Sequence, residues 1–175
     1  MCVESPIMKT IRLILFIAFT CLSLLACSSW SNKKEEVAGE LIQGELYFKL
    51  IDFGSYYGFS DDIIEEFENY VDSLTKVDEI SDNDRYVRDF TEILKQNDLI
   101  YLPYFNLKVD SIHKVKVYLS EKEYKKIQQY NHQELINENQ KVTIRLKGEY
   151  VHDDIVKCTE IISTDKVEGK TYWRK

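Results

Sequence analysis

The chain predicts an α+β fold, a mainly antiparallel sheet of about five to six strands with three helices. Three observations point there. Apolar and polar residues alternate with a period of two in "GELYFKL", "HKVKVYL" and "QKVTIRLKGEY". Two stripes recur at helical spacing, Ile63, Ile64, Phe67, Tyr70, Val71 and Leu74, then Tyr86, Val87, Phe90, Ile93 and Leu94. One strand and two helices come first, and the chain then turns mainly to strands.

Leu46, Phe48 and Leu50 alternate with Tyr47 and Lys49 in the first strand. Gly54 and Gly58 punctuate the aromatic loop "FGSYYGF" that follows. Asp62 with Glu65 forms a capping box for the first helix, and Ser60 is an alternative cap. Asp82 or Asn83 caps the second helix, which repeats the offsets of the first. One apolar face on each, joined by a polar loop around residues 75–82, predicts a helical hairpin laid on the sheet.

Phe105, Leu107 and Val109 mark the next strand, and Pro103 marks an edge or a strand beginning. Val115, Val117 and Leu119 then alternate against Lys114, Lys116 and Tyr118. Ser120 and Glu123 form a capping box for a third helix carrying Tyr124, Ile127 and Tyr130. Val142, Ile144 and Leu146 alternate against Thr143, Arg145 and Lys147, and His152, Asp153 and Asp154 read as a hairpin turn before "IVKCTEII". The tail "EGKTYWRK" predicts one more short pairing. From roughly 112 to 163 the order strand, helix, hairpin resembles part of a small barrel of the OB type, a second reading of the same segment.

The first residues read as a targeting segment. Lys9 and Arg12 precede an apolar run of 14 residues, Leu13 to Ala26. A membrane-spanning helix needs roughly 20 residues, so this run has the length of a signal-peptide core. Met8 is an alternative start to Met1, because "MKTIRLILF" alone has charge followed by an apolar run. Leu24, Leu25, Ala26 and Cys27 resemble the lipobox of bacterial lipoproteins. That resemblance implies cleavage after Ala26 and a diacylglyceryl group on the Cys27 sulfur, with acylation of the new amine. Two or more chains anchor stably where one binds marginally. Ser28 after the cysteine favours the outer membrane in a Gram-negative cell. As a whole, the chain resembles small uncharacterised envelope lipoproteins.

The expected organisation is a signal peptide at 1–26, a lipidated Cys27 with a flexible tether to residue 43, and one soluble domain at 44–175. Trp30 in the tether either dips into the interface or is incidental. Removing 26 of the 175 residues leaves 149, enough for one domain. The net charge of −7 becomes about −8 without Glu4, Lys9 and Arg12, which disfavours nucleic acid and anionic headgroups as partners. With Cys27 lipidated, Cys158 has no partner in the mature chain and reads as a core thiol, with Lys157 on the opposite face of its strand.

Candidate chemistry is sparse. Tyr56, Tyr57 and Phe59 sit in a glycine-flexed loop suited to bind a partner protein or a sugar ring; the simpler reading is that the rings cover the end of the core. "DFG" lacks every companion motif of a kinase. Asp61, Asp62, Glu65, Glu66 and Glu68 lack the order of a calcium loop and read as a solvated helix face near the positive end of the dipole. His113, His132 and His152 have no metal-binding spacing, so neither metal nor cofactor is expected. His152 beside Asp153 has no nucleophile motif to serve and reads as turn chemistry. Lys114 and Lys116 with Arg145 and Lys147 form a positive strip, read as a solvated sheet face with an anionic glycan or acidic partner as the alternative.

The expected function is therefore non-catalytic: a lipid-anchored binding or scaffolding module of the cell envelope, with an envelope protein as partner. The rivals are an envelope glycan or peptidoglycan hydrolase, which needs paired carboxylates across a cleft, and an inhibitor or immunity-type lipoprotein.

Overall fold

The computed structural model describes residues 39–50, 52–77 and 79–170. In chain order they form β1 (Glu40–Tyr47), α1 (Asp61–Leu74), α2 (Asp82–Gln96), β2 (Tyr104–Lys108), β3 (Lys114–Tyr118), α3 (Glu121–Gln128), α4 (His132–Asn137), β4 (Gln140–His152) and β5 (Ile155–Glu168). The class is α+β, with three helices of eight residues or more and the six-residue α4. The sheet closes on itself in the order β1-β2-β3-β5-β4. β3 and β5 run parallel, and every other neighbouring pair is antiparallel.

Closure rests on the long β4–β5 hairpin, 13 and 14 residues joined through Asp153 and Asp154. Its register slips at three places, between Arg145 and Leu146, Lys147 and Gly148, and Tyr150 and His152. Such irregularities bend a strand and raise its twist. β4 thereby reaches β1, while the first residues of β5 reach β3, pairing Val156 with Val117.

β1 starts earlier than the sequence predicts. Glu40 to Gln43, assigned to the tether, pair with β4 from Gly148 to Arg145. The inward residues are Ile42 and Leu46, whereas Leu50 lies beyond the strand and is 79% exposed. Cys27 and Trp30 lie outside the described residues, as do the signal segment and the end of the tail.

Of the predicted inward set of the other strands, Phe105, Leu107, Val115, Val117, Leu119, Val142, Ile144 and Leu146 are buried, while Val109, just beyond β2, is partly buried against them. Cys158 joins this interior as expected, and Ile127 of α3 and Leu135 of α4 plug it. Each such side chain contributes about 1.5–3 kcal/mol on burial.

A second core lies on the outside of the barrel. Phe90 and Leu94 of α2, with Leu99, Ile100 and Tyr56, pack on Tyr118 and Ile155. α1 adds Ile64 and Phe67. This is the predicted helical hairpin on the sheet. It corrects the reading of the positive strip as a solvated face: Lys116 and Tyr118, outward on β3, are 6% and 0% exposed. β3 is covered on both faces, so its alternation reports the barrel interior alone.

The caps also differ from expectation. Ser81, and neither Asp82 nor Asn83, caps α2, accepting from the Asp84 N–H at 3.1 Å. Ser60 is the N-cap of α1 without a side-chain bond. Ser120 caps α3 as predicted, but Glu123 does not close the box. Its carboxylate accepts from the Ile161 N–H at 2.7 Å, beside a register slip in β5, and from Lys126 at 2.7 Å.

Candidate binding furrow

The chain leaving β1 crosses the outer face of β2 and β3, and Asp52 pins it there. Both Asp52 carboxylate oxygens accept from Lys116 Nζ, at 2.6 and 2.5 Å. Asn106 Nδ2 donates to Asp52 at 2.8 Å, and Lys49 Nζ at 3.2 Å. The Lys116 ammonium also stands 4.9 Å from the Tyr104 ring centroid. Burial by itself would raise the Asp52 carboxyl; the hydrogen bonds from Lys116 and Asn106 and the two lysine charges outweigh it and hold Asp52 below its ordinary value. Burial pulls the Lys116 ammonium downward, against the Asp52 charge.

The next residues are set by close approach. A Cβ at Gly54 would enter the Tyr104 ring, so only glycine lets the loop lie flat there. The Tyr104 hydroxyl donates to the Asp52 carbonyl at 3.1 Å, and the Tyr118 hydroxyl donates to the Gly54 carbonyl. Burial, first of all, pushes both phenols upward. The Tyr56 N–H donates to the Ile100 carbonyl at 2.6 Å, and the Phe59 N–H to the Tyr56 carbonyl at 3.0 Å. The second bond closes a four-residue turn with Gly58 third, at φ +81°, the left-handed position such a turn reserves for glycine.

That turn sorts the three aromatic candidates. Tyr56 is 1% exposed and belongs to the second core, which corrects its assignment as a contact residue. Its ring meets Phe67 and Tyr101 edge-on. Tyr57 and Phe59 are 37% and 46% exposed at the tip. The Tyr57 ring meets Tyr124 of α3 edge-on at 5.9 Å.

Between this loop and α3 runs a furrow floored by β2. It comprises two cavities, about 190 and 390 Å³, that share Tyr104 and Tyr124. Asp52, Tyr57 and Phe59 line the smaller; Phe48, Lys49, Asn106, Gln128 and Tyr130 line the larger. The larger falls within the usual 300–1,000 Å³ of ligand pockets. Apart from Tyr57 and Phe59, none of these lining residues stood out in the sequence as a site, because the furrow joins segments more than 80 positions apart, such as Phe48 and Tyr130. Its only early trace is the pair of glycines among aromatic residues.

The other candidates fall apart from one another. His113 bonds Asp110 at 2.5 Å, His152 faces Asp154 across the predicted turn at 3.2 Å, and His132 stacks on Phe48 at 4.5 Å. Among the described residues no group of three His, Cys, Asp or Glu is placed to hold a metal, and no helix is long and apolar enough to cross a membrane. Burial drives the Cys158 thiol up to about 12, far from the activated range of a nucleophile. Lys114 stands over the Tyr47 ring at 4.5 Å. The proposed strip of four cations therefore loses Lys116 to Asp52.

Comparison with protein-family models, with curated proteins and with solved structures finds no match to this chain.

Proposed function

We propose that the chain is a lipid-anchored bacterial envelope protein, held through Cys27, whose α+β domain is a non-catalytic binding module with an envelope protein as partner. The observation that carries the binding reading is the turn at 56–59, which spends a left-handed glycine to expose Tyr57 and Phe59 beside a furrow. Such rings are the anchors that binding surfaces use.

The finer fold reading is an OB-type barrel. The strand order, the parallel β3–β5 pair and the helix between β3 and β4 support it. OB barrels commonly bind oligonucleotides or oligosaccharides on the face of their second and third strands. Here that face lies under the chain's own hairpin and Asp52. Binding is thereby directed to the tip and the furrow.

The test is metabolic labelling with a fatty-acid analogue, fractionation and crosslinking in intact cells. Wild type should carry label and sediment with membrane, and Cys27→Ala should do neither. Phe59→Ala should keep label and location but lose its crosslinked species. Unlabelled wild type would remove the anchor; unchanged crosslinking of Phe59→Ala would remove the tip.

A further inference from the structure

We propose that an uncovered apolar stripe on α1, continuing from Phe59 at the tip, docks a cationic segment of the protein partner, one that sets Arg or Lys among apolar side chains. The proposal rests on the reading of the tip as a protein-binding surface and names the chemistry of what binds there. Phe59, Ile63 and Tyr70 are 46%, 50% and 41% exposed. Ile63 and Tyr70 stand two turns apart on one helix face, and Glu66, three residues from one and four from the other, stands between them. The Tyr70 hydroxyl donates to Asp84 of α2 at 2.5 Å, which fixes that ring beside a carboxylate.

The distribution of charge names the occupant. The chain holds 30 Asp and Glu against 23 Lys and Arg. Asp52 to Thr75 contains seven of those acids and no Lys, Arg or His, so the two signs balance in the rest of the chain and the whole excess lies in this segment. Two of the seven are paired, Asp52 with Lys116 and Glu68 with Lys95. Asp61, Asp62, Glu65, Glu66 and Asp72 are exposed and in no ion pair among the described residues. Folding does not account for them all. The helix dipole favours Asp61 and Asp62 in the first turn, but it disfavours Asp72 in a last turn that has no basic residue. Asp61 with Glu65, and Asp62 with Glu66, are like charges four apart, a spacing that weakens a helix. The stripe therefore carries carboxylates that cost the helix stability and stand ready for an external cation. Nucleic acid and anionic bilayers are repelled there. Arg fits best, because its guanidinium pairs with carboxylates and stacks on rings such as Phe59 and Tyr70.

The test has two readouts. A photoreactive phenylalanine analogue at Ile63 is crosslinked in intact cells, and the joined peptide is sequenced by mass spectrometry. Separately, a short peptide alternating Trp and Arg and its Trp–Glu counterpart are titrated into the full chain in phosphatidylcholine nanodiscs, with empty nanodiscs as the blank. The crosslinked peptide should carry a net positive charge, and the Trp–Arg peptide should bind where the Trp–Glu peptide does not. Neutralising Asp62→Asn, Glu65→Gln and Glu66→Gln together should weaken the Trp–Arg peptide about tenfold, since each exposed ion pair contributes a factor of a few. The melting temperature should not fall, because like-charge repulsion is relieved. Added salt should weaken the wild type severalfold and the neutralised protein hardly at all, a comparison that stands within the wild type alone if the variant does not fold. Phe59→Ala separates the two readings. Crosslinking lost in Phe59→Ala but unchanged in the neutralised protein keeps the tip and overturns the cationic partner; crosslinking unchanged in Phe59→Ala removes the tip itself. An acidic or uncharged crosslinked peptide, equal binding of the two synthetic peptides, or binding insensitive to salt also overturns the proposal.

Discussion

Asp52 shows how one side chain organises this surface. It ties the segment leaving β1 to Lys116 of β3 and Asn106 of β2. Asp52→Ala leaves Lys116 charged, 6% exposed and without its main partner, which should cost about 3–5 kcal/mol of unfolding free energy in urea. Replacing both members, as Asp52→Leu with Lys116→Met, should recover most of the loss. The pH dependence follows from the depressed carboxyl. Its folded pKa lies below its unfolded value, near 3.9, so the unfolded chain binds more protons in acid. Asp52's contribution should be complete above about pH 4 and be lost as pH falls through the folded value. Stability of the double variant should be flatter over that window. Cys158 gives a second residue-scale expectation. A thiol reagent should leave Cys158 unmodified in the folded protein and reach it after denaturation, since Cys158 is buried with its thiol pushed up to about 12; under the proposed lipid anchor, Cys27 adds no reactive thiol. Rapid modification of the folded protein would contradict this.

The elements were legible from the sequence to the extent that each carried its own period. α1 and α2 were plain in the spacing of Phe67, Val71, Phe90 and Leu94. β3 and β4 were plain in Val115–Val117–Leu119 and Val142–Ile144–Leu146. What the period could not carry was a face buried by something distant. Lys116 alternates as an outward residue and is outward from the barrel, yet the hairpin covers it. The start of β1 was hidden because in "GELIQ" Leu41 and Ile42 stand side by side between polar residues and break the alternation, and the segment borders a charged stretch, so it reads as tether. Glu123 sits where a capping-box glutamate belongs, but an N–H beside the irregularity in β5 takes its carboxylate. Two substitutions test these local devices. Ser120→Ala should cost about 1 kcal/mol through the lost cap, with little effect on the tip. Gly58→Ala should cost on the order of 1 kcal/mol through its positive φ, not through crowding, because nothing lies within 4 Å of the added methyl. A proline-like loss of the whole fold at either position would contradict the local reading.

At the scale of the whole domain, two cores share one sheet. The barrel interior is built from five strands with α3 and α4; the outer core is built from the 52–104 insertion on β3 and β5. Leu94→Ala, at 0% exposure, should cost about 2–5 kcal/mol. It should also open the amides of α1 and α2 to hydrogen exchange ahead of those of β4 and β5. Uniform loss of protection across both would show that the two cores unfold as one. Under the proposed binding reading, the same arrangement leaves the tip as the surface a partner meets: the 52–104 segment covers the outer face of β2 and β3 and, in crossing it, builds one wall of the furrow.

The most direct test places a photoreactive phenylalanine analogue at Phe59, at the tip, and separately at Ile112, 77% exposed on the β2–β3 loop, in cells with and without Cys27→Ala. A discrete crosslinked protein from position 59 that depends on Cys27, with none from position 112, is the result predicted for a membrane-tethered module that binds through its aromatic turn. No product from position 59, or the same products from both positions, would contradict it.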